Sequence, residues 1–460
     1  MSSPPPLAGG TQGPDALRPL LTTVLDALHD GATRRGGPLP VGGPDTVAAR
    51  LREQAGTLLP DQGTGAHDAL RTLVTALTEG AADPADPLCA AHLHCPPLAV
   101  ATAADLAASA LNPSMDSWDQ APAASALEDL VTATFAREVY GDTTPADALV
   151  TTGGTEANQL AVLLARETTR GPLHLLVGAN AHHSLARATW LLGLPDPITV
   201  PAPTGTLDPA ALDEALTDLP GTKLVTATAG TTDAGLIDPL PEIADVCERH
   251  GARLHIDAAY GAGLLLSDRH RTRLHGLARA HTVTLDLHKL GWQPVAAGLL
   301  AVRDRTDTRA LTYQADYLNA DDDTEAGLPD LLGRSLRTTR RPDILKIAVT
   351  LKALGRTGLG ALTDQVMALA HHLARLVDEH PGFELYDTPT LSTVLFRPLG
   401  ADEQDIATIR RTLLTEGRAV LGRARTDDGK LWLKATLLNP HTEPGDLAAL
   451  LKLVEGHTPR

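Results

Sequence analysis

Two short apolar runs end in residues suited to covalent chemistry: Thr284-Leu-Asp-Leu-His288-Lys289 and Leu254-His-Ile-Asp257-Ala-Ala-Tyr-Gly261. Each reads as a buried strand, and open parallel sheets bind their ligands at the edge where strands end. An amine held at such an edge is a nucleophile for a carbonyl. The aldehyde of pyridoxal 5'-phosphate (PLP) is the carbonyl that also needs a fixed carboxylate. Its ring stabilises a carbanion while the pyridine nitrogen is protonated, and Asp257 beside that nitrogen favours the protonated form. Ala258 and Ala259 are small enough for a flat ring to lie close to the strand. The chain has seven lysines, and only Lys289 follows an apolar strand and a histidine.

The elements around these residues must supply an anion site and a cover for the ring. Ala148 to Thr152 predicts a strand, Gly153-Gly-Thr-Glu-Ala-Asn158 a turn, and Gln159 to Arg170 a helix. Strand, glycines and helix start together favour a phosphate, through unpaired N–H groups and the helix dipole. The spacing is not GxGxxG and no P-loop lysine follows, so dinucleotides and nucleoside triphosphates are disfavoured. Strand 174–177 precedes Asn180-Ala-His182-His183-Ser184, which opens a helix to Leu192. His182 there could stack on the exposed ring face, and without a second ligand cluster a metal role is not expected. Helix 208–219 and strand 223–228 lead to Ala229-Gly-Thr-Thr-Asp-Ala-Gly235. Asp238 is expected to cap the next helix, with Pro239 in its first turn and Gly251 at its end. Strand–helix alternation of this kind builds a largely parallel sheet of about seven strands.

Residues 1–15, rich in Pro, Gly and Ser, are expected to be a disordered tail. Residues 16–110 form a helical segment, with amphipathic helices at 16–29, 45–58 and 68–77 that need a covering partner, and a further helix at 98–111. A large domain spans 111–341 and a small α+β domain 342–460. The latter has helices from Leu345 to Leu354, ended by Gly355 and Gly358, then 361–379, 402–416 and 443–454, with strands 393–396 and 431–437. Two loops stand out. Asn112-Pro-Ser-Met-Asp116-Ser-Trp118-Asp119-Gln120 concentrates a tryptophan and two acids as a pocket wall would, and 318–341 has the length of a lid.

The chain is 460 residues long, with 43% hydrophobic and 3% aromatic residues and a net charge of -17. That charge argues against nucleic acid or an anionic membrane as a partner. Cys89, Cys95 and Cys247 make neither a disulfide framework nor a CxxC metal site, which points to a reducing compartment. No leader pattern opens the chain and no apolar run approaches about 18 residues. A soluble, cytoplasmic protein is expected.

Taken together, Gly153-Gly-Thr-Glu-Ala-Asn158, Ala181-His182, Gly230-Thr231-Thr232, Asp257-Ala-Ala259 and His288-Lys289 resemble the group II PLP-dependent amino-acid decarboxylases of fold type I, from about residue 85 onward. The motifs His92-Leu-His-Cys-Pro96, Ser114 to Gln120, Gln293-Pro294, Ala315 to Asn319, Ser335 to Arg340 and Leu438 to Thr442 are most similar to the L-2,4-diaminobutyrate decarboxylase branch, which bacterial siderophore-type lysine decarboxylases share. The resemblance implies Lys289 as the lysine that forms an imine with PLP, Asp257 as the pyridinium partner and His182 as the stacking residue. Gly154 and Thr155 would hold the phosphate, Ala259 would lie under the ring, and Thr231 would sit by the ring hydroxyl or the substrate carboxylate. His288 becomes the proton-transfer candidate. A homodimer with shared active sites is implied as well.

The resemblance has departures. Aromatic amino-acid decarboxylases carry a loop tyrosine for reprotonation, whereas no tyrosine lies here between Tyr317 and Tyr386. Leu290-Gly-Trp292 after the lysine is expected to reshape the pocket floor. The activity implied is decarboxylation of an L-amino acid to its amine and CO2. The substrate would be a diamino acid such as L-2,4-diaminobutyrate, ornithine or lysine, its distal ammonium paired by Asp116 or Asp119 beside Trp118. The alternatives are an acidic or aromatic substrate, or decarboxylation coupled to oxidation or transamination.

Overall fold

Strands buried on both faces need helices on both sides, and the chain supplies them by alternating the two. The structure is a computed structural model that describes residues 4–169, 171–426 and 428–458. Arg170, the expected end of the helix after the glycine turn, lies outside the described residues, as do residues 1–3 of the expected tail. After a two-residue strand β1 (Cys89–Ala90), the large sheet is built from β2 (Asp147–Thr151), β3 (Leu173–Gly178), β4 (Ile198–Val200), β5 (Thr222–Thr228), β6 (Arg253–Ala258), β7 (Thr282–Asp286) and β8 (Gly298–Val302). Its order is β2-β8-β7-β6-β5-β3-β4. Only β8 runs antiparallel to its neighbours, so the remaining strands end at one common edge.

Register decides what meets there. Thr228 on β5 pairs with Asp257 on β6, and Asp257 pairs with Thr284 on β7. Val225, Ile256, Val283 and Leu299 anchor the centre of the sheet in one apolar core with Phe135 and Val139 of the helix Pro122–Tyr140. That core is made of Leu, Val and Ala because the chain has few aromatics, and it fixes the strand ends to which the site residues are attached.

The second sheet joins β9 (Phe383–Leu385), β10 (Thr393–Pro398), β11 (Val420–Arg425) and β12 (Leu431–Thr436) to β1, in the order β1-β11-β12-β10-β9. Cys89 and Ala90 pair in parallel with Val420 and Leu421, so the N-terminal segment contributes a strand to the C-terminal sheet and is not purely helical.

Several expectations are corrected. The first helix begins at Gly13, not after residue 15, because Pro14 suits a helix's first turn. The expected break between two helices near Gly355 and Gly358 is a kink within Ile344–Asp378. Gly355 alone leaves helical geometry, at φ 62°, while Gly360 lies where an added Cβ would fall 2.6 Å from the Leu266 carbonyl oxygen. Asp238 does not cap the following helix, which starts at Leu240 after Pro239. Its buried carboxylate instead accepts from Asn180 Nδ2 (2.7 Å), Leu207 N (2.9 Å) and Thr228 N (2.6 Å), tying three loops to the sheet edge.

The expected lid at 318–341 divides in two. Its last third is pinned by Arg334 on Asp147 (2.5 Å), Arg337 on Glu156 (3.1 Å) and a fully buried two-pronged pair of Arg340 with Glu128 (2.5 and 2.7 Å). Any closing motion is therefore confined to the residues before Arg334. A buried guanidinium–carboxylate pair is costly to break from one side, since the remaining charge has no partner.

Candidate active site

Strand ends, the glycine turn and the segment after β7 enclose a cavity of about 420 Å³. Gly154, Thr155, His182, Asp257, Ala259, His288 and Lys289 all line it, which brings seven of the eight expected cofactor residues together. Gly153 and Gly154 are glycines for want of space. A Cβ on Gly153 would stand 2.9 Å from His288 Cε1, and one on Gly154 would stand 3.0 Å from Ala259 Cβ and 3.1 Å from Asp286 Oδ2. The helix Gly154–Glu167 begins at this turn, so its first-turn N–H groups face the cavity without helical partners.

Asp257 is buried. Its Oδ1 accepts from Ala259 N (3.0 Å) and its Oδ2 from Asn158 Nδ2 (2.7 Å). Both oxygens are thus aimed by donors that cannot rotate away. Lys289 follows β7 by three residues and places Nζ 3.2 Å from Asp286 Oδ2, with His288 Nε2 3.4 Å from the same oxygen. The backbone here is closed by Leu287 N on Ala297 O (2.8 Å) and Gln293 N on Leu287 O (3.0 Å), while Cys95 Sγ donates to His288 O (3.1 Å). Burial lowers the pKa of both His182 and His288, so both rings are neutral at neutral pH.

Thr231 is placed otherwise than expected. Its hydroxyl accepts from Leu236 N (3.0 Å) and braces its own loop, while Gly230 and Thr232 line the cavity. The loop turns tightly there, and the threonine one position later faces the space. Leu290, Gly291 and Trp292 do not form the floor either. Trp292 is buried and donates Nε1 to Leu438 O (2.8 Å), joining the segment after Lys289 to the segment after β12. Leu93 and Val295 supply the apolar wall. Asp116, Trp118 and Asp119 are absent from the wall of this chain's cavity. Asp116 is buried and accepts from Gln120 Nε2 (2.8 Å), Asp119 accepts from Ser117 Oγ (2.5 Å), and Trp118 is partly exposed.

Asn158, Glu156 and Asp286 join the site in addition to the expected residues, the first two without a local pattern that assigns them a role. Asp286 carried a usable signal, because alternate residues of a strand share a face and Thr284 is its neighbour on that face. Glu156 accepts from Thr152 N (2.6 Å) and Thr152 Oγ1 (2.7 Å), and so holds the glycine turn to Arg337.

PLP fits this cavity on the residues present. Asp286 Oδ1, His288 Nδ1 and Thr228 Oγ1 are buried on its walls without a partner among the described residues. A buried polar atom left in that state costs about 1–3 kcal/mol, which a bound group with several polar substituents would relieve. Gly154 and Thr155 would hold the phosphate, Asp257 the ring nitrogen and Lys289 the aldehyde carbon.

A lysine, a braced aspartate and a glycine-lined helix start at one edge of a mainly parallel sheet are features of the PLP-dependent enzymes of fold type I. Residues 59–398 match the model of the pyridoxal-dependent decarboxylase conserved domain. An L-2,4-diaminobutyrate decarboxylase of Rhizobium meliloti (strain 1021) is 40% identical over 421 residues, covering 87% of this chain and 84% of the relative. One from Acinetobacter baumannii is 31% identical over 430 residues, covering 85% and 84%. Among solved structures, the glutamate decarboxylase domain of diaminobutyrate-pyruvate transaminase and L-2,4-diaminobutyrate decarboxylase from Vibrio parahaemolyticus superposes with a TM-score of 0.87 at 30% identity, over 98% of this chain and 97% of that one. The chain belongs to the pyridoxal-dependent decarboxylase family.

The hydrogen bonding around His255 has a consequence for stability. This ring is fully buried, with Nδ1 2.9 Å from Thr282 Oγ1 and Nε2 3.0 Å from Asn158 Oδ1. Burial pushes its pKa down to about 4, with Asp257 opposing. The unfolded chain therefore binds a proton near pH 6.5 that the folded chain refuses until about pH 4. This contribution to stability is complete above pH 6.5 and lost as pH falls toward 4, amounting to about 3 kcal/mol at most. Urea titrations at pH 7.5 and 5 should show that loss for the wild type and a smaller one for His255→Gln. Equal slopes with pH for both would remove His255 as a source.

Proposed function

We propose that this chain releases CO2 from an L-α-amino acid with a second amino group, and that L-2,4-diaminobutyrate is the first substrate to test. The observation that carries the reading is the shared cavity of Lys289 and Asp257, supported by relatives of that name matched over most of the chain. PLP, when bound, supplies the electron sink that makes loss of a carboxylate from Cα feasible. Lys289 would hold it covalently, Asp257 would keep a negative charge at the ring nitrogen, and His182 would cover one face. His288, neutral through burial, takes or returns a proton at Nδ1, the ring nitrogen without a partner among the described residues, while Asp286 3.4 Å from Nε2 stabilises the charged ring. Loop residues before Arg334 close over the substrate and exclude water.

The proposed assembly is a homodimer in which each subunit completes the other's site. Asp116 and Asp119 do not line their own chain's cavity, so they reach a substrate ammonium only across an interface. The N-terminal helices leave Leu25, Leu28 and Leu77 exposed, and the 99–111 helix leaves Leu106 and Leu111 exposed, an apolar surface suited to a second copy. Cys89, Cys95 and Cys247 are free thiols, in keeping with a reducing, cytoplasmic setting. Among the described residues no helix is long and apolar enough to cross a membrane.

Purified holoprotein should be offered basic, acidic and aromatic amino acids, with CO2 measured and the amine identified by mass. Clean amine release from diamino acids is expected, and oxygen uptake or pyridoxamine phosphate would favour a coupled reaction instead. Converting both Asp116 and Asp119 to Asn should raise KM for a diamino acid by about tenfold or more, with far less effect on a neutral one. Mixed dimers of that double variant with Lys289→Ala should regain activity if the acids serve the partner. Equal losses on both substrates, or no regain, would exclude this role.

A further inference from the structure

We propose that Asn158 is a positioning residue whose single amide holds the Asp257 carboxylate and the His182 ring in one frame and fixes the proton of that ring on Nε2. This inference rests on the cofactor roles given above to Asp257 and His182. Asn158 is fully buried one turn into the helix Gly154–Glu167, on the same face as Gly154. It uses its whole hydrogen-bonding capacity. Nδ2 donates to Asp257 Oδ2 (2.7 Å) and Ser184 Oγ (2.9 Å), while Oδ1 accepts from Thr284 Oγ1 (2.7 Å) and faces His255 Nε2 (3.0 Å).

The amide has one workable orientation. Turned over, it would set its carbonyl oxygen against the Asp257 carboxylate, two acceptors facing with no proton between them. It would also point an NH2 group at Thr284 Oγ1 and His255 Nε2. His255 is neutral because burial lowers its pKa, and Asn158 Oδ1 can only accept, so the ring's proton is on Nε2, which leaves Nδ1 to accept from Thr282 Oγ1 (2.9 Å).

The order then runs outward. Ser184 Oγ, having accepted from Asn158, gives its own proton to His182 Nδ1 (2.8 Å), and Ser184 N points at the same nitrogen (3.3 Å). Two donors on Nδ1 leave Nε2–H as the donor the ring can offer to a ligand. A buried asparagine serving only the core would not need to join the cofactor's counter-ion to the ring that covers it. Here the chain Thr282, His255, Asn158, Ser184, His182 has a single proton order, and Asp257 branches from its middle.

The test uses full-length protein loaded with PLP. Asn158→Ala should raise the dissociation constant for PLP at least about tenfold, the loss of one hydrogen bond to a charged group. Asn158→Asp keeps the acceptor toward Thr284 but sets a second carboxylate against Asp257, and should weaken PLP binding at least as much. Ser184→Ala removes the hydroxyl between Asn158 and His182 but leaves the Asn158–Asp257 hydrogen bond in place, so PLP affinity should stay near that of the wild type while kcat falls by about tenfold. In 15N-histidine-labelled holoprotein, with His182 assigned by difference from His182→Gln, Nδ1 should be unprotonated and Nε2 protonated, and Ser184→Ala should show a mixture. Wild-type PLP affinity in either folded Asn158 variant, or a protonated Nδ1 in the wild type, overturns the proposal. Asp257→Asn, measured in parallel, separates the two readings. If it too binds PLP and turns over normally, the role of Asp257 has failed; if it alone is impaired, only the role of Asn158 has.

Discussion

Lys289→Ala should leave a folded chain that binds PLP reversibly and releases CO2 at least about 10⁴-fold more slowly than the wild type. No other lysine lines the cavity among the described residues. Lys346 is buried in ion pairs with Asp105 (3.1 Å) and Asp343 (3.3 Å), and Lys434 is held by Thr232 O (3.0 Å) and Asp233 Oδ1 (3.4 Å), so neither can take its place. Lys289→Arg is the informative control, because it keeps a cation beside Asp286 but cannot form an imine. It should be as inactive as the alanine variant while melting closer to the wild type. Turnover in either variant within about tenfold of the wild type would mean that the lysine is an ion-pair partner and not a nucleophile.

Asp257→Asn should lower kcat by about a thousandfold at saturating PLP. The substitution keeps the volume and removes the charge. Asn158 Nδ2 and Ala259 N both donate toward this side chain, so an amide satisfies one of them and opposes the other. What is lost is a fixed negative charge at the place where a ring nitrogen must stay protonated. Single-turnover CO2 release and PLP affinity, measured together, separate loss of binding from loss of chemistry. A variant with weakened PLP affinity and wild-type kcat at saturation would assign Asp257 to binding alone.

Both side chains were legible because each follows an apolar run, and burial on both faces is written directly into such runs. The register that sets Thr228, Asp257 and Thr284 side by side was not, since strand pairing depends on residues far apart in the chain. Asn158 was hidden for a related reason. Its four partners come from a helix start and two strands, and no local pattern distinguishes it from a surface asparagine. Asp238 misled because an acid before a proline is the usual sign of a helix start, whereas donors from two distant loops and from the end of β5 claimed its carboxylate. Val420–Arg425 was missed because two arginines and a glycine interrupt its apolar alternation. The loop 112–120 was recognised as chemically unusual, but Asp116, Trp118 and Asp119 do not line their own chain's cavity.

The most direct measurement is reduction of PLP-loaded protein with borohydride followed by peptide mapping. One pyridoxyl group is expected, on the peptide that contains His288 and Lys289, attached at the lysine. A label on any other lysine, or a reduced protein with no covalent label, would contradict it.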